Sequence, residues 1–190
     1  MSIFDKLKNK ASQATSAPSS FDKSQKEAVI TFAALPESLA EMKSLPEAAL
    51  DSPFSTAALA LCALCVYAAD KNIGAEMLNF LRGPRGELSA YDKQFLNERF
   101  SDEKYYIPFS YFNGAVLEND YTPSQPYTVR IFTDPYTYQN EGYAKVNLTS
   151  GGADSPRQIV LRLGGDGKWY LWDQFVLVGI REPKSKNPWA

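Results

Sequence analysis

The sequence has no histidine. This removes Ser-His-Asp and Cys-His nucleophile activation and every metal site that depends on imidazole. A catalyst built from this chain would have to work with carboxylate, Lys, Tyr or Cys groups. Cysteine is scarce as well. The two present, Cys62 and Cys65, are too few for a disulfide scaffold. There is no excess of positive charge: the net charge is −2 and the pI about 5.3. A general nucleic-acid binder needs a basic footprint to displace counterions, so none is expected here, although a small local basic patch is compatible with these values. No apolar secretory stretch follows the charged start MSIFDKLKNK. The most apolar run, AALALCALCVYAA (57–69), has 13 residues, against about 20 for a bilayer span. A cytoplasmic location follows as the default, and Asn147-Leu148-Thr149 has no meaning as a glycosylation sequon there.

What remains is ordinary globular composition, 44% hydrophobic and 22% charged over 190 residues. Residues 1–23 read as a leader. Ile3, Phe4, Leu7, Ala11 and Ala14 share one helical face, and the small, polar, Pro-bearing stretch 11–20 reads as a linker. A weak membrane-surface contact through residues 2–14 is the functional alternative for that leader. Residues 24–190 are expected to form a single domain.

In that body, Ser24 and Glu27 have capping-box spacing before Ala28, Val29, Ile30 and Phe32, which predicts a helix. A short helix over Glu37–Lys43 is closed by Pro46. Ser52-Pro53 starts the apolar helix that contains residues 57–69. An amphipathic run with Ile73, Met77, Leu78 and Leu81 stops at Gly83-Pro84, and Ser89 caps a further helix. After about residue 113 the apolar period changes from 3.6 to 2. Strands are predicted at 127–132, 141–148, 157–163, 168–173 and 175–180, the last of them central because it is nearly all apolar. GGDG (164–167) is a hairpin turn. The expected fold class is therefore α+β. A helical layer over about 24–112 packs on a largely antiparallel sheet over about 113–182.

No complete catalytic or metal motif is present. Cys62-Ala63-Leu64-Cys65 lies inside an apolar helix, so it reads as core rather than as a redox pair. The carboxylates Glu98, Asp102, Glu103, Glu118 and Asp120 read as solvated charge. LRGPRGEL (81–88) offers two arginines and two glycines for an anion. It lacks the lysine and hydroxyl of a P-loop and reads as an interhelical loop. Trp169 and Trp172 must face opposite sides of their strand, one into the core. In SGGADSPRQIVLRL (150–163), Asp154, Ser155 and Pro156 suit a corner that feeds a strand. An Asp154–Arg157 or Asp154–Arg181 pair would clamp that corner, whereas the same arginines left unpaired would make an anion site.

The segments GGADSPRQIVL, GKWYLWDQF, GIREP and NPWA together resemble the C-terminal region of an uncharacterised bacterial family, a domain of unknown function, over about residues 148–190. The family pattern carries an aspartate where Asn187 stands, so no charge-based role passes to that position. The resemblance implies that the 150–157 loop and the tail form one unit, and it carries no activity. A looser likeness, of fold alone, is to NTF2-like and cystatin-like proteins, whose curved sheets enclose a pocket.

These observations predict a non-catalytic cytoplasmic binding or interaction module with no cofactor, no metal and no nucleic-acid partner. Its partner would be a protein or a small molecule. Candidate contact residues are Asp154, Arg157, Arg162, Trp172 and Arg181. The alternative is a pocket protein of NTF2-like or cystatin-like type for a small, anionic ligand, either binding or enzymatic.

Overall fold

The computed structural model describes residues 21–189. The amphipathic pattern at 2–14 and the linker at 11–20 lie outside the described residues. Five strands form one antiparallel sheet in the order β1-β2-β3-β4-β5: β1 Glu27–Phe32, β2 Tyr127–Phe132, β3 Tyr143–Leu148, β4 Arg157–Leu163 and β5 Trp169–Gln174. Among the described residues, four α-helices precede β2: α1 Leu39–Ser44, α2 Pro53–Ala69, α3 Lys71–Arg82 and α4 Ala90–Arg99. The α+β class is as the periodicity predicted.

Helix boundaries follow local chemistry. The Ser38 hydroxyl caps α1, and the Ser52 hydroxyl accepts from Phe54 N with Pro53 in the first turn of α2. Asp70 ends α2 and its carboxylate accepts from Asn72 N and Ile73 N to open α3. Gly83 ends α3 at φ +48°. Ser89 and Asp92 form a reciprocal capping box on α4.

Helix α2 is buried almost all round and touches every strand of the sheet. Its alanines and Gly74 of α3 allow close approach. A Cβ at Gly74 would overlap the Tyr67 backbone. Cys62 and Cys65 are buried free thiols of this core, and burial raises both pKa values. Thr56 is buried in the same helix and donates to Trp169 O at 2.7 Å, which ties α2 to β5.

The sheet alternates as the sequence predicted. Ala144, Val146, Ile159, Leu161, Trp169 and Leu171 face the helices, while Tyr143, Lys145, Val160, Arg162, Tyr170 and Trp172 occupy the other face. The 164–167 turn joins β4 to β5, with Gly167 at φ +79°.

Two elements differ from the sequence expectation. Residues 27–32 are strand, not helix. Val29, Ile30, Thr31 and Phe32 are β-branched or aromatic, and β1 finds its partner in β2, with Thr31 opposite Thr128. Residues 175–180 form no strand, so the sheet ends at β5. Val176 and Leu177 are buried from a turn, Gly179 adopts φ +68°, and the carbonyls of this stretch are taken by side chains. Tyr111 donates to Val176 O at 2.7 Å, and Arg157 donates to Val178 O and Gly179 O. The helical layer, expected to about residue 112, closes with a short 3₁₀ turn at Pro108–Tyr111, and a further one follows at Leu117–Asn119. Among the described residues no helix is long and apolar enough to cross a membrane.

Candidate functional site

The five residues singled out in the sequence fall into two groups. Asp154, Arg157 and Arg181 meet at the corner where the 150–156 loop crosses the tail. Arg157 donates to the carbonyls of Ser155, Val178 and Gly179 at 2.9, 2.8 and 3.0 Å, and to the Ser155 hydroxyl. Its guanidinium is spent on backbone, and the carboxylate partner considered for it is instead paired with Arg181, at 2.6 Å. The corner is closed further by Arg181 N donating to Gly152 O and by the Tyr121 hydroxyl donating to Arg181 O. Gly152 is needed there, because a Cβ would strike the Tyr121 hydroxyl and Ile180. This region is a structural joint. The Arg181–Asp154 pair is exposed and contributes little to stability.

Arg162 and Trp172 lie at the opposite side, on adjacent strands of the outer sheet face. The Arg162 guanidinium carbon is 4.7 Å from the Trp172 ring centroid and 5.4 Å from that of Tyr143. Tyr143 in turn meets Trp172 edge-on at 5.7 Å. The structure adds a residue that the sequence reading set aside. Arg85, from LRGPRGEL, places its guanidinium carbon 4.6 Å from the Trp172 centroid. Two cations thus share one indole.

Arg85 reaches Trp172 because Arg82 folds its loop back. Arg82 Nε donates to Gly86 O at 2.8 Å and Nη2 to Glu87 O at 3.3 Å, while Nη2 pairs with Asp92, also at 3.3 Å. Arg82 is buried, and that burial, together with the charge of Arg85, lowers its pKa. Burial would raise the Asp92 pKa, but hydrogen bonds from Ser89 and the charges of Arg82 and Arg85 bring it below the ordinary carboxylate range. Gly83 lets the loop lie on Tyr170, since any Cβ would enter that ring. The Tyr170 hydroxyl donates to Asp166 at 2.6 Å. Burial and this acceptor push the Tyr170 pKa up to about 12, so it stays a neutral phenol.

These groups line an open cleft of about 440 Å³: Arg82, Pro84, Arg85, Arg162, Leu163, Gly164, Gly165, Tyr170 and Trp172. That volume is in the range of small-ligand sites. None of its lining residues is acidic. Among the described residues, Arg85 and Arg162 have neither a hydrogen-bond acceptor nor an ion-pair partner, whereas Arg82 has both. A second, smaller recess of about 80 Å³ adjoins the cleft and shares Arg82, Arg85 and Trp172 with it. It is walled by apolar side chains of α2, α3, α4 and β5, including Leu64, Leu78, Phe95 and Leu171. A further cleft of about 500 Å³, at the C-terminal end of α2, is lined largely by apolar residues around Ile73, Phe109 and Tyr127.

No curated protein and no solved structure matches this chain. A family model described as "Domain of unknown function (DUF6935)" matches residues 34–184, which takes in α1 to α4, the strands β2 to β5, both arginine groups and the cleft. The chain belongs to that family.

Proposed function

We propose that this protein is a non-catalytic binding module and that it takes its ligand, an anionic group, in the arginine–tryptophan cleft. The observation that carries the reading is the pair Arg85 and Arg162. Both cations stand over Trp172 in a concave site without a single carboxylate in its lining. An unpaired guanidinium presents its donors as a fork suited to a carboxylate or phosphoryl group. Trp172 and Tyr143 hold the arginine planes, which reduces the entropy lost when an anion is gripped. The pocket alternative drawn from the sequence and the binding-module reading thus meet in one site. The setting we propose is cytoplasmic, in keeping with two free, buried cysteines. The partner is a small molecule rather than nucleic acid. The C-terminal GGADSPR, WYLW and GIREP segments are read as part of the family pattern, serving the corner and the wall of the cleft.

Isothermal titration with inorganic phosphate and pyrophosphate tests this. The expected result is saturable 1:1 binding that weakens with added salt. Either Arg85→Ala or Arg162→Ala weakens it about tenfold, the equivalent of one charge-assisted hydrogen bond. Failure of both probes to bind, or binding that is unchanged in the double variant, overturns the reading.

A further inference from the structure

Resting on that reading, we infer that the ligand is a small phosphate monoester with a short apolar body: its phosphoryl group lies between Arg85 and Arg162, and its apolar part enters the adjoining recess. Three observations place these parts together. Two unpaired cations share Trp172, so the gap between their guanidinium carbons is no more than the two ring distances added. A phosphate monoester carries about −1.5 to −2 charge at neutral pH, which matches two free guanidiniums better than a monocarboxylate does. The mouth and the recess meet at Arg82, Arg85 and Trp172, which line both.

The two chambers differ in chemistry. The mouth carries the free charge. The recess is walled mainly by Leu64, Leu78, Leu88, Phe95, Leu96 and Leu171. Of its polar members, Arg82 pairs with Asp92 at 3.3 Å, Asp173 accepts from Gln174 N at 2.8 Å, Gln174 Oε1 accepts from Val176 N at 3.1 Å, and Arg85 is shared with the mouth. An apolar group entering it therefore meets leucine and phenylalanine side chains and polar groups that, Arg85 at the mouth apart, each already have a partner. Its volume of about 80 Å³ is a fraction of the mouth's 440 Å³, so it admits a short chain rather than a long one.

The test is a chain-length series. Inorganic phosphate and the methyl, ethyl, propyl, butyl and hexyl monophosphates are titrated into the full-length protein, with propionate and butyrate as singly charged controls. Affinity should rise by about fourfold per methylene to about propyl or butyl and then level off, with the carboxylates binding more weakly at equal length. Leu88→Phe, which narrows the recess, should move the plateau to a shorter chain. Leu88→Ala, which widens it, should move the plateau to a longer one. A purely structural role for Leu88 predicts no such opposite shifts. Phosphate binding with no dependence on chain length overturns the inference and leaves the anion-binding reading intact. Absence of binding across the whole series overturns both.

Discussion

The guanidinium carbon of Arg85 lies 4.6 Å from the centroid of the Trp172 indole, linking the loop after α3 to the last strand of the sheet. The contact is exposed on the arginine side, so its share of stability is small, about 0.5–1 kcal/mol. The same holds for Arg162 over that ring. Replacing both with Ala should cost the fold no more than about 2 kcal/mol by urea denaturation while abolishing phosphate binding. A loss of stability well beyond that would assign the arginines to structure.

Arg157 should behave in the opposite way. Its guanidinium serves three carbonyls that have no strand partner, two of them in the 175–180 turn. Arg157→Ala is expected to destabilise the protein by about 1–3 kcal/mol without changing anion affinity. Arg157→Lys should recover only part of the loss, because a single ammonium cannot reproduce the fork. Full rescue by Lys, read as an unchanged denaturation midpoint, would contradict this assignment.

Thr56 gives a buried test of the helix–sheet contact. Its hydroxyl donates to Trp169 O at 2.7 Å. Thr56→Val keeps the shape and strands that carbonyl, at a cost of about 1–3 kcal/mol. A melting temperature equal to that of the parent would show that Trp169 O is satisfied in another way.

The Asp92 carboxylate has a pKa below its ordinary value in the folded protein. The unfolded chain therefore binds its proton at higher pH than the folded one does. Its stabilising contribution is complete above the unfolded value, about 3.9, and is lost as pH falls through the lower folded value. Melting curves from pH 5 down to pH 2 should thus show a shallower loss for Asp92→Asn than for the parent. Parallel losses would mean that this carboxylate does not report the acid transition.

Much of this architecture could be read locally because its signals are local. Ser52-Pro53, Asp70, Gly83 and Ser89 mark helix ends through hydrogen bonds within three residues, or through glycine's freedom at positive φ. Alternation in β2 to β5 is likewise written in consecutive residues. β1 escaped because Ser24 and Glu27 imitate a capping box, while the partner that makes residues 27–32 a strand lies in β2. The 175–180 stretch escaped because its apolar residues are buried without pairing, through side-chain donors from Tyr111 and Arg157. At the cleft, Arg162 and Trp172 were named singly, on the two strands flanking the predicted 164–167 turn, and their contact is a diagonal one, since Tyr170 stands opposite Arg162. Arg85 was visible only as a loop residue, since its meeting with Trp172 depends on how Arg82 folds the 83–87 backbone. At the corner, the second of the two pairings considered is the one formed: Asp154 pairs with Arg181, and Arg157 donates to carbonyls.

The β1–β2 pairing has a consequence for biosynthesis. Thr31 and Thr128 exchange a hydroxyl contact across 97 positions of chain, with α1 to α4 made in between. At about 5–20 residues per second, the strand carrying Val29, Ile30 and Phe32 leaves the ribosome roughly 5–20 seconds before its partner exists. The β2–β5 meander is made last and can pair with itself at once through short turns, so β1 is the strand that must wait. A ribosome-bound chain halted before residue 127 should therefore bind a holdase chaperone through residues 27–32, and should release it once β2 has emerged.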